Sequence, residues 1–235
     1  MEQNKLPPRL EAIARLVPEG CRLADVGTDH GLLPVRLLEN GVIQSAVASD
    51  LRPGPLSAAK NNARIAGVEN IRFCLCDGLD GISSDEADAV VIAGMGGETI
   101  AGILERTPWV VRRDKTLILQ PMTKPEILRK ALEGMDLRIE QERLVSDSGR
   151  IYSVMLARSG KQGRYSEIEY YTGRFELISR ERLFSPFLDL FENKLAKALE
   201  GIKKAETERS SEREEGLLVL LEQLREKRKE YDESI

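Results

Sequence analysis

Short apolar segments alternate with helical patterns along the first two thirds of the chain, and this alternation limits the possible folds more than any other feature. The first four apolar segments each lead into a turn that carries glycine or acidic residues, and the fifth leads into Gln120-Pro121. The sequence predicts strands at 22–26, 45–49, 71–76, 87–93 and 115–119, and helices at 8–17, 32–39, 55–67, 98–106 and 125–134. Strands that alternate with helices form a parallel sheet covered on both faces. We therefore expect an α/β domain of the Rossmann-like type.

The last third of the chain changes character. Two further strands at 137–145 and 151–158, joined by a short turn, predict an antiparallel edge to the sheet. Beyond 165, apolar residues recur every three or four positions in two stretches, separated by polar residues at 206–211. The stretches contain Leu188, Phe191, Leu195, Ala198, Ile202 and Ala205, then Leu217, Leu221, Leu224, Arg228 and Tyr231. We predict an antiparallel, coiled-coil-like α-helical hairpin, and divide the chain into domains at 1–160 and 161–235.

Composition excludes several classes of protein. The net charge of -4 gives no general attraction to polyanions, so nucleic-acid binding depends on local basic patches. We expect Cys21, Cys74 and Cys76 to be small buried apolar residues, with the last two on one face of a strand, since three cysteines without framework spacing do not suit a disulfide scaffold. His30 is the only histidine, so we expect no metal site. No segment has the pattern of a signal peptide or the apolar length of a membrane span, and we expect a cytoplasmic protein.

The first predicted strand leads into the loop Asp-Val-Gly-Thr-Asp-His-Gly at 25–31. Gly27 lets the backbone approach a ligand, and Gly31 allows close packing of strand and helix. The loop lacks the second glycine of the dinucleotide fingerprint, and Asp29 would repel a pyrophosphate at the helix N-terminus. S-adenosylmethionine has no phosphate and carries a cationic sulfonium. We therefore predict this cofactor, with Asp25 and Gly27 in its site.

Acids also end the next two predicted strands. Asp50 lies about twenty residues beyond the glycine loop, where an acid accepts hydrogen bonds from both ribose hydroxyls. Asp77 precedes Gly78, where an acid accepts the exocyclic amine of adenine. Asp50 has the alternative role of a helix cap, and Asp77 that of a turn residue. Acids at three successive strand ends indicate one ligand site, because ligands of open α/β sheets bind at the carboxyl ends of the strands.

The fourth predicted strand ends in Ala-Gly-Met-Gly-Gly at 93–97. Enzymes that methylate exocyclic amines of bases often have a motif similar to Asn-Pro-Pro-Tyr at the end of this strand. This chain has neither the side-chain amide nor the aromatic ring of that motif. Gly94 leaves backbone groups exposed, and Met95 offers an adaptable apolar surface to a flat base. The alternative is a tight turn between strand and helix.

These motifs together resemble one family. The loop at 25–31, Asp50 with Gly54-Pro55, Asp77-Gly78, Gly-Met-Gly-Gly at 94–97 and Gln120-Pro121 are similar to the bacterial tRNA (adenine-N1)-methyltransferases that act on the D-loop adenine at tRNA position 22. The resemblance extends over essentially the whole chain. It implies a class I methyltransferase domain, S-adenosyl-L-methionine as cofactor, tRNA as partner, and methyl transfer to N1 of an adenine.

The resemblance also suggests roles for single residues. Methylation at N1 makes the adenine ring cationic, so a carboxylate near the exocyclic amine would stabilise that charge and take a proton. We expect Asp29 to be this catalytic carboxylate and His30 to orient it or the base; loop capping is the alternative for His30. Substrate contacts are expected from Arg9, Gly96, Gln120, Pro121 and Lys124.

Two other functions stay open at this point. One is a small-molecule methyltransferase with the same cofactor, in which the hairpin is a lid or a dimer element. The other is a non-catalytic RNA-binding protein of the same fold, against which the acids at three strand ends argue. We expect a monomer.

Overall fold

A computed structural model of the chain describes residues 6–205 and 210–233. The chain divides into two compact units between Gly163 and Arg164, and each unit is described by itself. The first unit contains α1 (Pro8–Ala14), β1 (Arg22–Val26), α2 (Leu32–Glu39), β2 (Ser45–Asp50), α3 (Pro53–Ala66), β3 (Ile71–Leu75), β4 (Ala89–Gly96), α4 (Gly97–Glu105), β5 (Thr116–Thr123), α5 (Pro125–Gly134), β6 (Leu137–Asp147) and β7 (Arg150–Ser159). Short 3₁₀ turns cover Ser84–Glu86 and Pro108–Val111.

One seven-stranded sheet forms the centre of this unit, in the order β3-β2-β1-β4-β5-β7-β6. Strands β1 to β5 are parallel, whereas β7 pairs antiparallel with both β5 and β6. This confirms the Rossmann-like prediction and the antiparallel edge. The strand order reverses between β1 and β4, and an open α/β sheet forms its ligand crevice at such a point.

The core lies on the central strands, which are buried on both faces. Leu23 on β1, Val91 on β4 and Ile118 on β5 have no exposed surface, and Ile13 of α1 packs against the same cluster. Each fully buried aliphatic side chain of this size contributes about 1.5–3 kcal/mol by leaving water. This burial holds the loops at the ends of the strands in place.

The structure corrects several predicted boundaries. The helix predicted at 8–17 ends at Ala14, and the tighter i→i−3 hydrogen bonds from Leu16 to Ile13 and from Val17 to Ala14 replace the helical pattern there. Strand β4 continues through Gly94 and Met95 to Gly96, and β5 continues through Pro121 to Thr123, so the predicted strand ends at 93 and 119 lie a few residues too early. The tight turn that was the alternative at 93–97 is not formed by Gly94 and Met95, which belong to the strand. Past residue 119, β5 pairs with β4 alone, and a proline is tolerated at such an edge.

The cysteine prediction is right for one residue and wrong for two. Cys21 is buried, but Cys74 and Cys76 are only half-buried. The reason is that β3 is an edge strand, which ends at Leu75, one residue before Cys76. The two sulfur atoms still lie on one side, since a Cβ atom on Gly81 would approach both of them.

The second unit is helical. It contains α6 (Glu167–Thr172), α7 (Phe175–Ile178), α8 (Phe184–Ala205) and α9 (Ser210–Asp232). The ion pairs Arg225–Glu192 at 2.9 Å and Arg228–Asp189 at 2.6 Å show that α8 and α9 run antiparallel. The predicted loop at 206–211 falls outside the described residues at 206–209, and its last two residues belong to α9. Within the described ranges, no helix has the length and apolarity of a membrane span.

Candidate active site

A cavity of about 460 Å³ opens at the carboxyl ends of β1, β2 and β4 and beside the turn after β3. Most of the predicted site residues line it: Arg9, Asp25, Gly27, Asp29, His30, Asp50, Asp77, Gly78, Gly94 and Met95. The structure does not bring Gly96, Gln120, Pro121 and Lys124 to the cavity wall. The cavity therefore joins the three strand-end acids at one place, at the point where the strand order reverses.

The loop after β1 depends on two glycines. Gly27 has φ +69°, a backbone conformation that is strained for any residue with a side chain, and a Cβ atom there would force the flexible Cε end of Met95 to move. Gly31 has φ +67° and would place a Cβ atom 2.9 Å from that of Ala59 on α3. The close approach at Gly31 is thus between two helices, whereas we had expected it between a strand and a helix.

Asp25 lies at the floor of the cavity and is almost fully buried. The Thr28 hydroxyl donates a hydrogen bond of 2.5 Å to its carboxylate. Burial raises the pKa of Asp25 to about 6; the Thr28 hydrogen bond opposes this rise, and the negative charge of Asp50 adds to it. A cation in the cavity would favour the ionised form.

Asp50 holds two neighbouring loops through its carboxylate. It accepts a hydrogen bond from the N–H of Arg52 at 2.9 Å and a longer one from the N–H of Asp29 at 3.4 Å. Arg52 is the N-cap of α3, and this helix has no side-chain capping hydrogen bond, so Asp50 is not the helix cap of the alternative interpretation. Asp50 lines the cavity.

Asp77 follows β3 and combines a turn with a side-chain ion pair. Its carbonyl accepts the N–H of Asp80 at 3.1 Å, as the turn alternative requires. Its Oδ1 lies 2.6 Å from Nη2 of Arg106, a residue that the sequence analysis missed. No local pattern marks this partner, since the two residues are 29 positions apart.

Asp29 and His30 lie at the mouth of the cavity. Asp29 adopts left-handed backbone with φ +53°, a conformation that costs a non-glycine residue about 1–3 kcal/mol and clusters at functional sites. Nε2 of His30 is 3.6 Å from Oδ1 of Asp29, and the two side chains are 57% and 65% exposed. Both are therefore accessible to a large substrate.

Gln120 supports the cavity wall from behind. Its side chain is fully buried; Oε1 accepts hydrogen bonds from Nη1 of Arg9 at 2.9 Å and from the N–H of Gly94 at 3.1 Å. Its Nε2 donates to the carbonyl of Pro121 at 2.9 Å. Gln120 therefore fixes two residues that do line the cavity. Lys124 instead pairs with Glu98 at 2.6 Å.

Two exposed apolar side chains, Leu32 and Leu51, also line the cavity and were not predicted. Together with Met95 they give its mouth an apolar surface. Within the described ranges, no group of three His, Cys, Asp or Glu side chains is arranged to hold a metal ion.

Comparison with known proteins agrees with this geometry. A family described as "Methyltransferase domain" matches residues 6–155. The tRNA (adenine(22)-N(1))-methyltransferase of Bacillus subtilis (strain 168) is 33% identical over 190 residues, 80% of this chain and 76% of the relative. The chain belongs to this methyltransferase family.

Solved structures resemble this methyltransferase over nearly its full length. The Bacillus subtilis m1A22 tRNA methyltransferase TrmK is 29% identical with a TM-score of 0.86, over 95% of this chain and 99% of that chain. Sp1610 of Streptococcus pneumoniae, solved in complex with S-adenosyl-L-methionine, is 30% identical with a TM-score of 0.78, over 94% and 99% of the two chains.

Proposed function

We propose that this methyltransferase transfers a methyl group from S-adenosylmethionine to N1 of the adenine at position 22 in the D-loop of tRNA. The observation that carries the proposal is the convergence of Asp25, Asp50 and Asp77 on one cavity at the reversal of strand order. The similarity to a tRNA (adenine(22)-N(1))-methyltransferase supports the substrate.

The cavity suits S-adenosylmethionine in size and in charge. Its volume of about 460 Å³ lies in the range of small-molecule sites. Asp50 would accept hydrogen bonds from the ribose hydroxyls and Asp77 one from the adenine amine, while Gly27 keeps the loop clear of side chains. Gly78, Gly94 and Met95 would complete this side. When bound, the cofactor supplies an electrophilic methyl group on a cationic sulfur, which the acidic floor at Asp25 favours.

On the substrate side, the protein has to position the base and exclude water. Adenine N1 has a lone pair in the plane of the ring, so alignment with the methyl group supplies much of the rate enhancement. Leu32, Leu51 and Met95 offer the apolar surface on which a flat ring would rest. An unpaired D-loop base has to turn outward to reach this depth.

Asp29 is the proposed catalytic carboxylate. The adenine ring becomes positively charged as the N1–methyl bond forms, and a carboxylate near the exocyclic amine stabilises that charge and can take its proton. His30 would orient Asp29, since its Nε2 lies 3.6 Å from Oδ1.

RNA contacts are proposed for Arg9 and for residues beside the cavity. Gln120 holds the Arg9 guanidinium at the cavity wall, where it would meet a phosphate near the target base. Gly96, Pro121 and Lys124 lie at the ends of β4 and β5 and remain predicted substrate contacts. The helical unit from Arg164 onward is proposed to hold the tRNA, and the protein to act as a cytoplasmic monomer.

Nucleoside analysis tests this function. The purified protein is incubated with labelled S-adenosylmethionine and unmodified tRNA, and the digested RNA is analysed for N1-methyladenosine. A matched tRNA with guanine at position 22 should stay unlabelled. Asp29→Asn should lower kcat about a hundredfold and leave cofactor affinity nearly unchanged. Methylation of small molecules alone would favour the first alternative function, and RNA binding without methyl transfer the second; either result contradicts the proposal.

A further inference from the structure

We propose that Arg106 is a positioning residue through which the enzyme selects adenine as the base of its cofactor. The inference rests on the proposed binding of S-adenosylmethionine with its adenine at Asp77. Arg106 itself does not line the cavity. It acts by fixing the carboxylate that does.

Arg106 bridges two carboxylates in the turn after β3. It is the C-cap residue of α4; its Nη2 lies 2.6 Å from Oδ1 of Asp77 and its Nε 3.1 Å from Oδ1 of Asp80. Ile103, one turn earlier on α4, lines the cavity, so this face of the helix backs the site. The planar guanidinium thus holds both acids in one fixed geometry.

Gly78 makes this bridge possible. Its φ of +57° favours glycine, and a Cβ atom there would lie 2.8 Å from Nη2 of Arg106 and 2.9 Å from Ile103. A side chain at position 78 would therefore displace the guanidinium from Asp77. The turn is shaped for the arginine as well as for the ligand.

The Asp77 carboxylate needs such a partner to be selective. Its side chain is 60% exposed, and a short acidic side chain with that exposure is otherwise free to change rotamer. Arg106 engages Oδ1, and in the described part of the chain no hydrogen bond to Oδ2 is found. Oδ2 is therefore left for another donor, and Asp77 lines the cavity in which such a donor would bind.

A fixed carboxylate oxygen distinguishes two purines by their hydrogen-bonding groups. The exocyclic amine of adenine donates to Oδ2, whereas hypoxanthine presents a carbonyl oxygen at the same place and would meet a negative charge. If the carboxylate turns freely, it moves away from the carbonyl at little cost, and the difference in affinity between the two bases shrinks. Arg106 should thus influence base discrimination more than affinity for the rest of the cofactor.

Calorimetry with a pair of ligands tests the inference on the full-length protein. S-adenosylhomocysteine and its inosine analogue, S-inosylhomocysteine, differ only at the purine. We expect the wild-type protein to prefer the adenine ligand on the order of a hundredfold. Arg106→Gln should reduce this ratio about tenfold. Arg106→Lys keeps the positive charge but loses the planar guanidinium with its two donors, so its ratio should lie between those of the wild type and Arg106→Gln. Arg112→Gln is the matched control. Arg112 forms an ion pair of 3.2 Å with Asp114 and does not line the cavity, so this variant should keep the wild-type ratio.

Asp77→Asn separates this inference from the proposed function. An amide can both donate and accept, so this variant should lose most of the discrimination, and adding Arg106→Gln to it should change the ratio no further. If Asp77→Asn lowers the ratio and Arg106→Gln does not, the inference alone is overturned. An unchanged ratio in Asp77→Asn removes the adenine from Asp77 and overturns the inference together with that placement of the cofactor. Failure of the wild-type protein to bind either ligand contradicts the proposed function itself.

Discussion

The buried carboxyl of Asp25 should make the catalytic unit less stable as the pH rises. Burial raises its pKa from 3.8 to about 6, so the folded protein holds this proton at pH values where the unfolded chain has lost it. When the folded state binds more protons than the unfolded state, the free energy of unfolding falls with increasing pH. This loss of stability is absent at pH values below 3.8, the pKa in the unfolded chain, and complete at pH values above about 6, the pKa in the folded protein.

Replacement by asparagine removes that cost. The rise in pKa from 3.8 to about 6, at about 1.4 kcal/mol per pH unit, corresponds to about 3 kcal/mol. The amide that Asp25→Asn introduces keeps an oxygen to accept the Thr28 hydroxyl but cannot ionise. This variant should therefore stabilise the ligand-free protein by up to about 3 kcal/mol at pH 8 and by little near pH 4.

Urea unfolding at a series of pH values measures the effect. Trp109 is the single tryptophan and lies in the first unit, so its fluorescence reports on that unit alone. Asp88→Asn is a control of opposite sign. The hydrogen bond from Arg22 lowers the pKa of Asp88 to about 2, so the ionised Asp88 stabilises the folded protein. The Asn variant should therefore be less stable than wild type by the same amount at every pH above about 4. A difference between Asp25→Asn and wild type that does not grow from pH 4 to pH 8 would refute the reasoning.

Three further predictions concern cofactor binding, the helical unit and the core. Asp50→Ala should weaken cofactor binding by about 1–3 kcal/mol through the loss of charge-assisted hydrogen bonds, and unchanged calorimetric affinity would remove Asp50 from the site. A chain ended after Gly163 should fold by circular dichroism and bind S-adenosylmethionine but not methylate tRNA; full activity would assign the helical unit another role. Glu142→Gln should lower the free energy of unfolding by about 3–5 kcal/mol, because it removes the carboxylate from a fully buried ion pair with Arg129. The double replacement Arg129→Met with Glu142→Leu should lower the free energy of unfolding by less, as measured by Trp109 fluorescence. A larger decrease in the double variant than in Glu142→Gln contradicts this account.

Much of the fold and most of the cavity-lining residues could be predicted, because they depend on sequence patterns within a few positions of each other. Apolar alternation and turn residues define strands and helices within a few positions, and acids such as Asp50 and Asp77 follow directly from strand ends. The parallel sheet brings these ends together whatever the details of packing. This is why ten predicted residues line one cavity.

The rest depends on contacts between distant positions. Gln120 carries the pattern of a strand-end contact, yet its side chain turns inward to Arg9, 111 residues away. Arg106 reaches Asp77 across 29 residues with no periodic signal. The extension of β4 and β5 past their glycine and proline arises from pairing with each other, which overrides local turn preference. The exposure of Cys74 likewise follows from the strand order, which no single segment encodes.

The position of β7 has a consequence for synthesis of the chain. β5 has parallel partners on one side only, and its other side is covered by β7, from Thr116 opposite Arg158 to Leu119 opposite Met155. On the ribosome, β5 emerges well before β7, and its open edge waits through α5 and the whole of β6. An unpaired apolar edge in a nascent chain is a template for association with other chains. Slow codons that are translated after β5 has left the ribosomal exit tunnel and before β7 has left it should therefore lengthen this aggregation-prone interval, whereas pauses after β7 has emerged should be harmless.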